Sequence, residues 1–411
     1  MIHDLHPGDT EFPASEYADR VSRARRAMAE HDVDAIMVTG DFLMAFNYRY
    51  FTGHLPRDFQ TTTDRTHVFV LTREGGAAIC SHPESLPGAR RSWVKEVSTY
   101  QAPFRHTAAL GLFKTLGIEK GRVAAEIGDG QRMQMPVQEF ERLKHDLPDV
   151  EWVDAGPLMW TLRMFKSPLE IENIARADRI NGLAQRRGFQ RAKPGATERD
   201  VYVECIVGIV EGGAHRPPHD QLTIRSTARV RDTAEGRAVH GSEPVSVPFA
   251  TGDVVFLDTG CQVNGYWAEF TRMAVVGAPT KEQERWHRLL LEVDRGWWEE
   301  ILRPGITCND AMEKHLARCE KVGLKPEEYR RERLVQGPRS HHCHGIGLSS
   351  SEQPRVRIGD TTVIRPGMVL SVESYVLGDG FLYGTEENVV ITESGARMIT
   401  DPVDTGLIVV A

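Results

Sequence analysis

Four acidic residues sit where a folded chain would pay heavily for a bare charge. Asp258 ends the apolar run Val254-Val-Phe-Leu257, and Glu269 lies in the middle of Tyr266-Trp-Ala-Glu-Phe-Thr-Arg272. Glu373 closes Met368-Val-Leu-Ser-Val-Glu373, and Glu386 precedes Asn388-Val-Val-Ile391. Short apolar runs bounded by glycine read as buried strands. A carboxylate in such a place costs several kcal/mol unless a proton or a cation neutralises it. Four of them facing one another would also push each other's pKa upward. Divalent metal is the usual remedy. One imidazole, His344 in His344-Gly-Ile-Gly-Leu348, joins the set. Four carboxylates and one His suit Mn, Fe, Co or Zn, and the sulfur needed for a structural zinc knot is missing. Two ions held by such a set could polarise an amide carbonyl and generate a hydroxide nucleophile.

The elements that must carry these residues come in pairs. Gly252 to Asp258 and Gly367 to Glu373 are both six residues apart. A turn follows each run, through Gly260 and Asn264-Gly265 in the first case and Gly378-Asp-Gly380 in the second. The acid offsets nearly agree, with 373 − 258 = 115 and 386 − 269 = 117. Upstream, Lys193-Pro-Gly-Ala-Thr197 echoes Arg303-Pro-Gly-Ile-Thr307 at an offset of 110, and both lead into a Thr-x-x-Asp capping box. The chain beyond about residue 165 therefore reads as duplicated. Each half is expected to supply helix and a hairpin with two inward acids.

At this point the sequence resembles the pita-bread metallopeptidases, a family that includes aminopeptidase P, prolidase, methionine aminopeptidase and the metal-free creatinase. The matching pieces are Asp258-x-Gly-x4-Gly-Tyr-x2-Glu269-x-Thr-Arg272, His344-Gly-Ile-Gly-Leu348, Arg365-Pro-Gly-Met-x4-Glu373 and Glu386-Glu-x3-Ile-Thr392. Arg163-Met-Phe-Lys-Ser-Pro-x-Glu-Ile171 and Asn47-x2-Tyr-Phe-Thr-Gly53 extend the likeness over nearly the whole chain. The resemblance implies five metal ligands, Asp258, Glu269, His344, Glu373 and Glu386, with Glu269 and Glu386 bridging two divalent ions. It implies that Glu373 also shuttles a proton, and that His240 contacts the substrate or its oxyanion. Arg65 lies where creatinase-like dimers send an arginine into the neighbouring subunit's site; a surface charge is the other reading. A homodimer is an expectation from the resemblance alone.

Three positions depart from the pattern. The second ligand is normally Asp, and here it is Glu269. A second His usually stands seven residues after the ligand His, where this chain has Ser351 in the substrate region. The usual Arg two residues before the last ligand is Gly384. The leading expectation is a dinuclear hydrolase of a small amide or peptide, similar to the Xaa-Pro peptidases. Ser351 motivates an alternative, a metal-assisted lyase or non-peptide hydrolase of an osmolyte-like molecule. A binding module without catalysis ranks third, because every ligand position keeps a ligating side chain.

A chain of 411 residues suggests two domains. Apolar content of 40% and charged content of 26% are those of a globular protein, and a net charge of −8 argues against broad nucleic-acid binding. No apolar run approaches a membrane span, and the first residues carry neither the basic region nor the apolar run of a secretion signal. Six scattered cysteines without Cys-x-x-Cys fit free thiols in a reducing cytoplasm. A charged helix over 16–31 is followed by strands near 34–39, 68–71, 77–80, 122–126 and 152–154. This alternation predicts a smaller α/β domain over 1–158, without any Gly-x-Gly-x-x-Gly nucleotide signature. A C-terminal α+β pita-bread domain is expected over 159–411. Residues 224–247 read as a long irregular segment lining the site. Trp286, Trp297 and Trp298 read as packing residues on a helix over 281–301. His341 and His342 read as neighbours of the ligand His, and Cys261 and Cys343 as small packing residues.

Overall fold

The computed structural model describes residues 12–41, 45–56, 65–214, 222–229, 243–336, 342–378, 380–401 and 406–410. The chain divides into two compact units, Met1–Arg163 and Met164–Ala411. The helix Gly156–Arg163 belongs to the first unit, where the Leu162 carbonyl accepts from Arg23 Nη1 of the helix Ala14–Glu30.

The first unit holds a six-stranded sheet. Its strands are β1 (Ala35–Gly40), β2 (His67–Thr72), β3 (Ala77–Ser81), β4 (Glu96–Thr99), β5 (Lys120–Ala125) and β6 (Asp149–Asp154), in the order β4-β3-β2-β1-β5-β6. β1 and β2 are buried throughout, which explains why they read as unbroken apolar runs. β4 escapes sequence reading because it is short, largely exposed and polar. The Asn47–Gly53 motif supplies a buried polar cluster. Asn47 donates to Glu126 at 2.8 Å and accepts from Arg163 at 2.8 Å. Glu126 also accepts from the Thr39 amide and hydroxyl at 2.8 and 2.9 Å. Burial outweighs these donors and pushes the Glu126 carboxyl up to about 7.

The second unit repeats a plan of two helices and a hairpin. The first half contains helices Pro168–Phe189 and Glu198–Glu211, then β7 (Leu222–Ser226), β8 (Val254–Val263) and β9 (Tyr266–Val276). The second contains Lys281–Gly296 and Cys308–Lys321, then β10 (Cys343–Gly345), β11 (Glu352–Arg355), β12 (Val369–Gly378), β13 (Phe381–Thr392) and β14 (Gly395–Met398). Strand β15 (Ile408–Val410) joins the first sheet beside β9, giving β15-β9-β8-β7 against β11-β10-β12-β13-β14. Each of the four helices starts on a Ser or Thr whose side chain accepts from the amide three residues on. The Pro-Gly echo has a backbone cause as well. Gly195 and Gly305 adopt φ of +86° and +93°, which β-carbon-bearing residues resist.

Three sequence expectations need correction. Gly260 is no turn residue; it lies inside β8, and the chain reverses only at Asn264-Gly265, both in the left-handed region. Residues 222–226 are a regular strand paired with β8, so the irregular stretch cannot begin at 224. The duplicated acids are also offset. Asp258 pairs with Thr271 and Glu373 pairs with Glu386, so at the common offset of 115 the counterpart of Glu386 is Thr271. Glu269 pairs with Gly260, and its counterpart is Gly384, which pairs with Tyr375. The two-residue mismatch in spacing is therefore a real asymmetry. The first hairpin offers its acids diagonally and the second offers them directly across the ladder. The helix expected over 281–301 runs regularly to Gly296 and then widens over Trp297–Ile301; Trp286 and Trp297 are buried in the core between helices and sheet.

Candidate metal centre

Strand alternation decides which side chains meet. Asp258 and Gly260 share one face of β8, so Asp258 and Glu269 fall on the same side of their hairpin. On β12 the alternation puts Ser371, Glu373 and Tyr375 on one face, opposite Asn388, Glu386 and Gly384 of β13. His344 comes from the short edge pairing of β10 with β12, opposite Ser371. Three of these residues converge tightly. One potential ligand atom from each of Glu269, His344 and Glu386 lies within 4.8 Å of the others. His344 Nε2 is 3.6 Å from Glu269 Oε1. Glu386 is buried, its Oε1 accepting from Ser371 Oγ at 2.5 Å and its Oε2 from Thr271 Oγ1 at 3.1 Å. Thr271, the symmetry counterpart of Glu386, thus serves as its hydrogen-bond donor.

Asp258 and Glu373 stand around this trio. Their charges, after burial itself, raise the carboxyls of Glu269 and Glu386 well above the ordinary range. Burial pushes Asp258 up to about 6, against a pull downward from Arg225. Glu373 accepts from the Tyr375 hydroxyl at 2.7 Å. The His344 Nδ1–H donates to the Gly345 carbonyl at 3.0 Å, which leaves the Nε2 lone pair aimed at the acids. Burial lowers the pKa of His344 to about 4, so the ring is neutral at pH 7.

This chemistry fits a divalent cation. Asp258, Glu269 and Glu386 are crowded, desolvated and raised in pKa, and the imidazole presents an unprotonated nitrogen. A bound cation would discharge the crowding that otherwise only protons can relieve. Oxygen donors with one nitrogen favour a hard or borderline metal.

The remaining sequence candidates fall elsewhere. His240 and His341 lie outside the described residues. Ser351 lies between β10 and β11, and its hydroxyl is buried without a hydrogen-bond partner among the described residues. Arg65 is in the first unit and pairs with Glu84. His342 is buried, its Nδ1 3.0 Å from His315 Nε2 and its ring centroid 5.8 Å from that of Tyr375, and His315 stacks on Trp297. Cys261 and Cys343 are buried free thiols, as are the other four cysteines. Sequence reading overlooked Tyr375, Ser371 and Thr271. The period-two spacing of Ser371, Glu373 and Tyr375 carried that signal, since one face of a strand must point one way.

Comparison with known proteins agrees with this architecture. The sequence profile described as metallopeptidase family M24 matches residues 172–393, and that of the creatinase/prolidase N-terminal domain matches residues 20–165. The chain belongs to metallopeptidase family M24. It is 28% identical over 291 residues to an Xaa-Pro dipeptidase of Pyrococcus furiosus, covering 70% of this chain and 74% of that protein. It is 26% identical over 410 residues to the probable dipeptidase PepE of Mycobacterium tuberculosis, covering 96% and 97%. The crystal structure of dipeptidase PepE from Mycobacterium ulcerans superposes with a TM-score of 0.75 at 24% identity, over 97% of this chain and 99% of that one. That likeness establishes the pita-bread fold with its preceding creatinase-type unit. The matched profile is that of metallopeptidases, and the described residues include a cluster, Glu269, His344 and Glu386, that could hold a metal ion.

Proposed function

We propose that this M24 enzyme is a metal-dependent dipeptidase acting on small peptides of the Xaa-Pro type. The observation that carries the reading is the buried trio Glu269, His344 and Glu386, flanked by Asp258 and Glu373. These five residues would hold two divalent ions of the Mn, Co, Fe or Zn class. When bound, such ions supply Lewis-acid polarisation of the scissile carbonyl and lower the pKa of a water. The chain's own groups do the rest. Glu373 takes and returns the proton, and the Tyr375 hydroxyl at 2.7 Å fixes which carboxylate oxygen is free to do so. Ser371 and Thr271 hold both oxygens of Glu386. His240 steadies the developing oxyanion in this reading. A cytoplasmic homodimer, with Arg65 and Ser351 contributing to substrate binding, completes it; the free, buried cysteines support a reducing compartment.

The test is hydrolysis of Xaa-Pro dipeptides by protein supplied with Mn or Co, its loss with a chelator and its return with added metal. Ser351 and Gly384, which replace the His and Arg of the resembled peptidases, favour one second reading, a lyase or hydrolase of a small osmolyte-like molecule on the same centre. Metal-dependent turnover of such a substrate with none of the dipeptides would replace the first reading by the second.

A further inference from the structure

Arg225, half-buried, differs from three buried arginines of the chain. Arg20 pairs with Glu16 at 2.9 Å, Arg229 with Glu198 at 2.6 Å and Arg272 with Glu387 at 3.0 Å. Arg225 has no ion-pair partner among the described residues, and its buried Nε has no hydrogen-bond partner there. Its guanidinium instead lies over the ring of Phe256, 5.6 Å from the centroid. The register explains where it points. Arg225 pairs with Phe256 and Thr223 pairs with Asp258, so Arg225 shares the sheet face that carries Asp258. Its charge reaches the centre, since it draws the Asp258 carboxyl downward. No hydrogen bond joins the two side chains among those described.

A second observation concerns Gly384, where the resembled peptidases carry an arginine. Nothing larger fits there. A β-carbon at 384 would lie 2.6 and 2.7 Å from Tyr375 ring atoms and 2.8 Å from Phe256. The Tyr375 and Phe256 rings, with centroids 6.4 Å apart, fill the space that an arginine at 384 would leave through. Phe256 is the ring on which Arg225 rests. The structure therefore closes one route for a guanidinium and supplies another, from β7.

We infer that Arg225 is a specificity-determining residue that binds the free α-carboxylate of the substrate's C-terminal residue. The inference rests on the dipeptidase reading and names the group by which the enzyme would select a dipeptide over a longer chain. A planar guanidinium held over an aromatic ring offers a fork of N–H donors suited to bidentate recognition of a carboxylate. An amide at the same place offers no matching charge and would leave the guanidinium unpaired.

The experiment compares Ala-Pro with Ala-Pro amide for the wild type, Arg225→Met and Arg225→Lys, with circular dichroism and melting as controls of folding. Arg225→Met should raise KM for the free acid roughly ten- to a hundredfold, with the amide changed less than about twofold. Arg225→Lys, which keeps the charge and loses the fork, should fall between. Equal losses on acid and amide, or no loss on the acid, would overturn the assignment. Binding of proline and prolinamide by calorimetry separates this failure from failure of the dipeptidase reading. A wild-type preference for proline that Arg225→Met abolishes supports the carboxylate site even if neither peptide is cleaved. A wild type without that preference refutes it, whether or not the variants fold.

Discussion

Replacing Asp258 by Asn tests the claim that crowded charge defines this centre. In the metal-free protein Asp258 holds its proton up to about pH 6, against an ordinary value of 3.8. Between those limits the unfolded chain has released the proton and the folded chain has not. The unfolded state binds fewer protons, so stability falls as pH rises from about 4 to 6. At about 1.4 kcal/mol per pKa unit, the Asp258 contribution to that fall is about 3 kcal/mol. This is an upper bound, because the side chain keeps partial access to solvent. Asp258→Asn should remove the fall and also ease Glu269 and Glu386, whose pKa values its charge raises. Urea unfolding in chelator at pH 4, 5 and 6 measures it. The variant should gain on the wild type by up to about 3 kcal/mol across the range. With Mn or Co present the wild type should show the opposite trend, because a cation needs the deprotonated ligands. Saturation at a hundred times Kd adds about 2.7 kcal/mol, and the variant should lose much of that gain. Identical pH slopes for variant and wild type in chelator would refute the reasoning.

Three further outcomes follow from the same geometry. Glu126, buried in the first unit with its carboxyl up at about 7, loses stability as pH rises from 4.5 to 7; Glu126→Gln should flatten that window by about 3 kcal/mol in pH-dependent denaturation, and an unchanged slope would exclude Glu126 as its source. Tyr375→Phe keeps the ring beside Phe256 and removes only the donor to Glu373, so kcat should fall roughly tenfold with melting temperature and bound metal unchanged. Gly384→Ala forces a β-carbon onto the Tyr375 and Phe256 rings and should cost about 1–3 kcal/mol in chemical denaturation; a neutral result would mean the rings yield easily.

The sequence by itself determined the acids, the imidazole and the strands that bear them. A buried strand must be apolar, so a carboxylate interrupting Val254–Leu257 or Val369–Val372 stands out without any tertiary knowledge. The helix starts were equally legible, because capping is a contact among four consecutive residues. Register was not. Pairing Glu386 with Glu373 and Glu269 with Gly260 depends on where each hairpin turns, and one residue of slip inverts every face. Only the tertiary structure made Thr271 a donor to Glu386, brought Tyr375 to Glu373 and set Arg225 over Phe256 beside the acids. Those contacts join residues that are distant in sequence or separated only by a strand's alternation, and no local preference encodes them. The polarity of each residue is a property of the chain, whereas the partner that satisfies it is chosen by the way two sheets and their ladders come together.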